Sequence, residues 1–125
     1  MDKRIQNLLQ FFSVSSTGEQ VPFQKYTQFS DIWDFPFSGK GPVGDSGFLV
    51  LWEKNALEKR NDDYMVSTFL DDVFLIGSDG GENAFGVNRE KQFVVVPFVG
   101  MCNENVKILA DSFDGFLLRV ANCDY

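Results

Sequence analysis

The sequence contains no histidine. That absence removes the Ser-His-Asp and Cys-His nucleophile arrangements, the histidine general base, and nearly every zinc site other than an all-cysteine one. Only two cysteines are present, Cys102 and Cys123. They are too few for an all-cysteine site and fit no ligand spacing, so they read as reduced residues of a cytoplasmic protein, and neither metal nor cofactor is expected. Catalysis would be left to carboxylates or a Ser-Lys pair, which would have to declare itself by spacing. No apolar run approaches the ~20 residues needed to cross a bilayer. The opening "MDKRIQNLLQFFSVSS" has only a short apolar segment interrupted by Gln, which suits an amphipathic helix better than a signal peptide. Basic residues are scarce as well: 11 against 18 acidic ones, a net charge of −7. Such a balance repels nucleic acid and anionic membrane and favours a basic partner.

What the chain does have is apolar material. Fourteen Phe and 44% hydrophobic residues in 125 positions supply one domain, 1–125, able to bury ~65–70% of its unfolded surface. Ile5, Leu8, Leu9 and Phe12 recur at helical spacing, predicting a helix over Lys3–Phe12. Pro22–Trp33 reads as a second helix, with Pro22 in its first turn and Tyr26, Phe29 and Trp33 on one face. "PFSGKGPVGDSG" reads as irregular. Phe48–Trp52 has strand length, and "EKNALEKRN" reads as a short helix that Asn61 ends in a left-handed conformation. Val73–Gly77, Ala84–Val87 and Phe93–Phe98 read as an antiparallel meander, with Pro97 ending the last strand or sitting at its edge. The tail is a closing helix capped by Asp111 or Ser112, with Phe113, Phe116, Leu117 and Val120 on one face and a Gly115 that needs a packing reason. The expected fold is α+β: a twisted antiparallel sheet with helices packed around it, including N- and C-terminal helices.

The most deliberate stretch is "LIGSDGGENAFGV", Leu75–Val87. A Walker-type phosphate loop is excluded, because no Lys-Ser/Thr follows Gly80 and Gly81 and a strand rather than a helix comes next. A calcium loop would need alternating oxygen ligands between helices, and that pattern is missing. A hairpin turn fits every residue: Asp79-Gly80 with Gly80 and Gly81 at positive φ, between paired strands.

The same stretch, with "FVVVPF" and "ILADSFDGFLLRV" after it, resembles the SUKH superfamily, which includes yeast cell-wall glucan-synthesis regulators and many bacterial proteins. The family's "iGsdGgGn" turn is matched by Gly77, Asp79, Gly80, Gly81 and Asn83, and its late "SFeeFL" helix by Ser112, Phe113, Phe116 and Leu117. Upstream, "GPVGDSGFLVLWEKNALEKRN" resembles the glycine-rich segment, the "lw" strand and the helix ending in Asn, with Trp52 and Asn61 at those places. The resemblance runs from about Pro22 onward and implies an α+β fold and a non-enzymatic binding role. Many bacterial members look like immunity proteins that neutralise polymorphic toxins, often nucleases. The alternative is a regulatory adaptor of cell-wall or signalling enzymes, like the yeast relatives. A carboxylate enzyme such as a glycosidase would require two acids held a few ångströms apart.

A face that grips a basic toxin should mix acids with aromatic anchors. The candidates are Asp62, Asp63 and Tyr64, then Asp71 and Asp72, and the turn residues Asp79 and Glu82, grouped around the start and tip of one hairpin. Trp33, Trp52 and Phe113 fall on apolar faces and are assigned to the core.

Overall fold

The structure, a computed structural model, describes residues 3–17, 23–29 and 37–125. Among the described residues seven strands form one antiparallel sheet in which each pairs with its neighbour in sequence. They are β1 (Ser13–Ser16), β2 (Ser38–Val43), β3 (Gly47–Leu51), β4 (Phe74–Ser78), β5 (Asn83–Val87), β6 (Phe93–Pro97) and β7 (Lys107–Ala110). The helices are α1 (Lys3–Leu8), α2 (Leu57–Asp63), α3 (Val66–Phe69) and α4 (Phe113–Ala121). The α+β expectation therefore holds, with a helix near each end of the chain.

The core is built where apolar sequence is densest. Both alternating sets of side chains in β5 and β6 are buried: Phe85, Val87, Phe93 and Val95 on one side, Ala84, Val94 and Val96 on the other. The central strands are thus covered on both faces. On the first side, Phe116 of α4 stacks on Phe93 at 4.8 Å and meets Phe85 edge-on at 5.1 Å. Burying a Phe in this way stabilises by roughly 1.5–3 kcal/mol. Ser112 caps α4 by accepting the Gly115 amide at 3.1 Å. A Cβ on Gly115 would lie 3.1 Å from Ser112 Oγ and 3.2 Å from Ala110 Cβ, which is the packing reason for glycine there. α4 touches β2, β3 and β7, so the sheet curls around it.

Several sequence expectations change. The helix expected over Lys3–Phe12 ends at Leu8, and the chain then turns into β1. Of the helix expected over Pro22–Trp33, Pro22 and 30–33 lie outside the described residues. The part from Phe23 to Phe29 is not an α-helix but an irregular strap ending in a 3₁₀ turn at Thr27–Phe29. Its Phe23, Tyr26 and Phe29 all pack on Phe74, at 4.9, 5.1 and 5.5 Å. The segment expected to be irregular contains β2. Its glycines disguise it, yet they let it approach β1: a Cβ on Gly39 would lie 2.2 Å from Ser13 O.

Asn61 does not end α2 in a left-handed conformation. That conformation belongs to Met65, at φ 55°, while Asn61 is fully buried within the helix. β3 pairs with β4 only through Val50 and Leu51, and beyond the bond from the Trp52 amide to Ile76 O at 3.0 Å the edge of β4 at Leu75 would be bare. The Asn61 amide fills the gap: Leu75 N–H donates to Oδ1 at 2.8 Å, and Nδ2 donates to the Leu75 carbonyl at 2.9 Å. Nδ2 also donates to Leu57 O at 2.9 Å. One side chain replaces a strand partner, because its amide carries the same donor and acceptor as a peptide group.

Candidate functional site

The glycine-rich turn is held from within. Asp79 Oδ1 accepts the Gly81 and Asn83 amides at 2.9 and 3.2 Å, and Oδ2 accepts Asn83 Nδ2 at 3.0 Å and the Tyr125 hydroxyl at 3.1 Å. Partial burial alone would raise the Asp79 carboxyl, but these donors outweigh it and hold it below the usual range. Only Gly80 of the two glycines needs the left-handed region, at φ 80°. Gly81 does not, which corrects the expectation of positive φ at both.

Four more of the predicted acids, Asp62, Asp63, Asp71 and Asp72, have partners too. Asp62 forms an ion pair with Lys25 at 2.7 Å and accepts the Tyr26 hydroxyl at 2.9 Å, interactions that hold its carboxyl below the usual range. Beside it, Glu58 accepts the amides of Gln24, Lys25 and Tyr26 at 2.9, 2.6 and 3.0 Å. Desolvation works against ionised Glu58, yet those three backbone donors more than compensate and lower its pKa. Together the two carboxylates bind the strap to α2. Asp63 pairs with Lys59 at 2.9 Å one turn away. Asp71 and Asn103 bond reciprocally, Nδ2 to Oδ2 at 2.9 Å and Asp71 N–H to Oδ1 at 3.1 Å. Asp72 receives both the side chain and the amide of Arg89.

These positions do not gather into one acidic cluster. Asp71 and Asp72 precede β4 and Asp79 and Glu82 follow it, ends roughly 20 Å apart at ~3.3 Å per residue. Among the described residues no three Asp, Glu or Cys side chains come close enough to hold a metal ion.

The fold does bring Tyr64 and Glu82 to one surface. Tyr64 stacks on buried Trp52 at 5.8 Å with only 12° between the planes, and meets Phe98 at 4.9 Å. The Arg60 guanidinium lies 5.4 Å from the Trp52 ring centre. Tyr64 is 40% exposed, as are other large apolar side chains that follow it in the chain, Met65 at 54% and Phe69 at 48%, and Val99, next to Phe98, at 92%. The Phe98 amide donates to Glu82 O at 2.9 Å, bringing the tip of the β4–β5 turn to this surface. Gly81, Glu82, Pro97, Phe98 and Val99 line a hollow of about 570 Å³ there. The Glu82 carboxylate has no partner among the described residues.

Phe98 and Val99 were not legible as site residues, since Phe98 reads as the end of a strand. The available signal was Pro97: a proline that ends a strand sends the apolar residues after it off the sheet. Trp52 and Phe113 are buried as expected, and Trp33 lies outside the described residues.

No protein-family model matches the chain, and no curated protein matches it in sequence. Among the described residues no helix is long and apolar enough to cross a membrane.

Proposed function

We propose that the chain is a non-enzymatic, SUKH-like protein-binding domain that acts in the cytoplasm as an immunity protein, neutralising a basic polymorphic toxin domain such as a nuclease. The observation that carries the reading is the exposed surface of Tyr64, Met65, Phe69 and Val99, set on a chain of net charge −7. Large apolar side chains are costly to leave in water, and contiguous exposed patches mark interaction surfaces. Tyr64 is a good anchor because its ring is already fixed between Trp52 and Phe98, so little side-chain freedom is lost on binding. The antiparallel sheet with its closing helix agrees with what the resemblance implies.

The acidic surface supplies speed rather than most of the affinity. A nuclease domain is basic where it grips phosphate, so the field steers the pair together and the association rate falls as salt rises. The pairs of Asp62, Asp63 and Asp72 are exposed and weak, worth ~0–1 kcal/mol each.

The test is capture on the tagged protein from its own host, followed by co-expression. The reading expects a basic domain that is toxic alone, harmless with this protein present, and slower to associate at high salt. Retention of a housekeeping enzyme or kinase, with no rescue of any toxic domain, would replace it with the adaptor role.

A further inference from the structure

We infer that the hollow between the β4–β5 turn and Phe98 receives an arginine side chain of the partner protein, with Glu82 as its counter-charge and Phe98, backed by Tyr64, as its stacking wall. This rests on the protein-binding reading and adds to it a specific contact. Each wall of the hollow asks for the same occupant. Pro97, Phe98 and Val99 present apolar surface, and Gly81 contributes no side chain. Among the described residues the only charged one lining the hollow is Glu82, and its carboxylate has no partner among them. Asp62, Asp63, Asp71, Asp72 and Asp79 all have partners within the chain. A carboxylate beside an aromatic face suits a cation that can stack. Arginine fits better than lysine, because its planar guanidinium lies flat on a ring while its fork donates to the carboxylate. The chain's net charge of −7 favours the same sign of ligand.

The turn is shaped to keep the hollow open. Asp79 bonds the amides behind it, and the Phe98 amide bonds Glu82 O from below, so the Glu82 side chain is left facing solvent. A Cβ on Gly81 would meet only Asp79 Oδ1, at 3.5 Å, and Gly81 has no positive φ to lose. Gly81→Leu should therefore fold normally while filling the hollow, which makes it a clean blocking variant beside Glu82→Gln.

The experiment is an amide-shift titration of the whole chain with the capped peptide Gly-Leu-Arg-Leu-Gly, and with the same peptide carrying Glu in place of Arg. The expected result is saturable shifts in the millimolar range, confined to 81–83, 97–99 and Tyr64, for the Arg peptide alone. Glu82→Gln should weaken binding about threefold, the size of one exposed ion pair, and Gly81→Leu should abolish the saturable shifts. Shifts scattered over unrelated acids such as Asp45 and Asp114, or equal binding by the two variants, would overturn the inference. So would burial of this face in a homodimer, seen as concentration-dependent sedimentation. A captured toxin domain that binds Gly81→Leu as tightly as the unaltered chain would leave the immunity reading standing and remove only this contact.

Discussion

Asn61 offers the sharpest test of how this sheet is held together. Its amide makes two bonds to the backbone of Leu75 and one to Leu57 O, in a site with no solvent exposure. Asn61→Ala leaves the Leu75 N–H and C=O buried without those partners. At about 1–3 kcal/mol for each of these two unsatisfied buried groups, the loss is ~2–6 kcal/mol. Total stability for a domain of this size is of the order of 5–15 kcal/mol, so the variant should unfold at clearly lower urea. Asn61→Leu conserves volume but not the amide and should cost about as much. Asn61→Asp keeps the acceptor but turns the donor into a second oxygen facing the Leu57 and Leu75 carbonyls. It should be the worst of the three at neutral pH and should recover as pH falls, because a protonated carboxyl can donate again. Urea unfolding followed by tryptophan fluorescence measures all three. If Asn61→Ala or Asn61→Leu lies within ~0.5 kcal/mol of the unaltered protein, the substitution of a side chain for a strand is wrong.

Other consequences follow from the same contacts. A Cβ on Gly77 would lie 1.9 Å from Val50 O, so Gly77→Ala should push β3 from β4 and cost about 1–3 kcal/mol or more in thermal or urea unfolding. Asp79→Ala should destabilise by about 1–3 kcal/mol. It should also bring the Tyr125 phenol, pushed up to about 12 first by burial and then by the Asp79 charge, part of the way back toward 10.0 in an ultraviolet titration. The lowered pKa of Glu58 gives stability that is present above its ordinary value of 4.5 and lost as pH falls through the depressed folded value. Glu58→Gln should therefore be less stable than the unaltered protein at neutral pH, with the gap closing as pH falls through the depressed folded value. A gap that is constant with pH would show that the three amides do not depend on the charge of Glu58.

What could be read in the sequence was the part governed by local pattern. β3 to β6, the Asp79-Gly80 turn and α4 with its Ser112 cap rest on periodicity, turn chemistry and capping, all of which act over a few residues. β2 was hidden because Gly39, Gly41 and Pro42 look like loop, while the two glycines let β1 approach, and that need appears only across the sheet. The exposed β1 and β7, four residues each, bury too little to show an alternating pattern. Asn61 was legible as important but not in its role, since its partner Leu75 lies 14 residues away. The site divided in the same way. Composition pointed to an acidic binding face, yet most of its acids are occupied in holding the strap, the turn and the loops. The surface left for a partner depends on Tyr64 meeting Phe98, a contact no local pattern contains.

The measurement closest to the central claim is amide hydrogen exchange of the protein with and without the basic domain captured from its host. The account predicts new protection at 64–69, 81–83 and 97–100, with β1 and β7 unchanged. Protection confined to the sheet edges or the exposed side of α4, with Tyr64 and the Glu82 turn exchanging as freely as before, would contradict it.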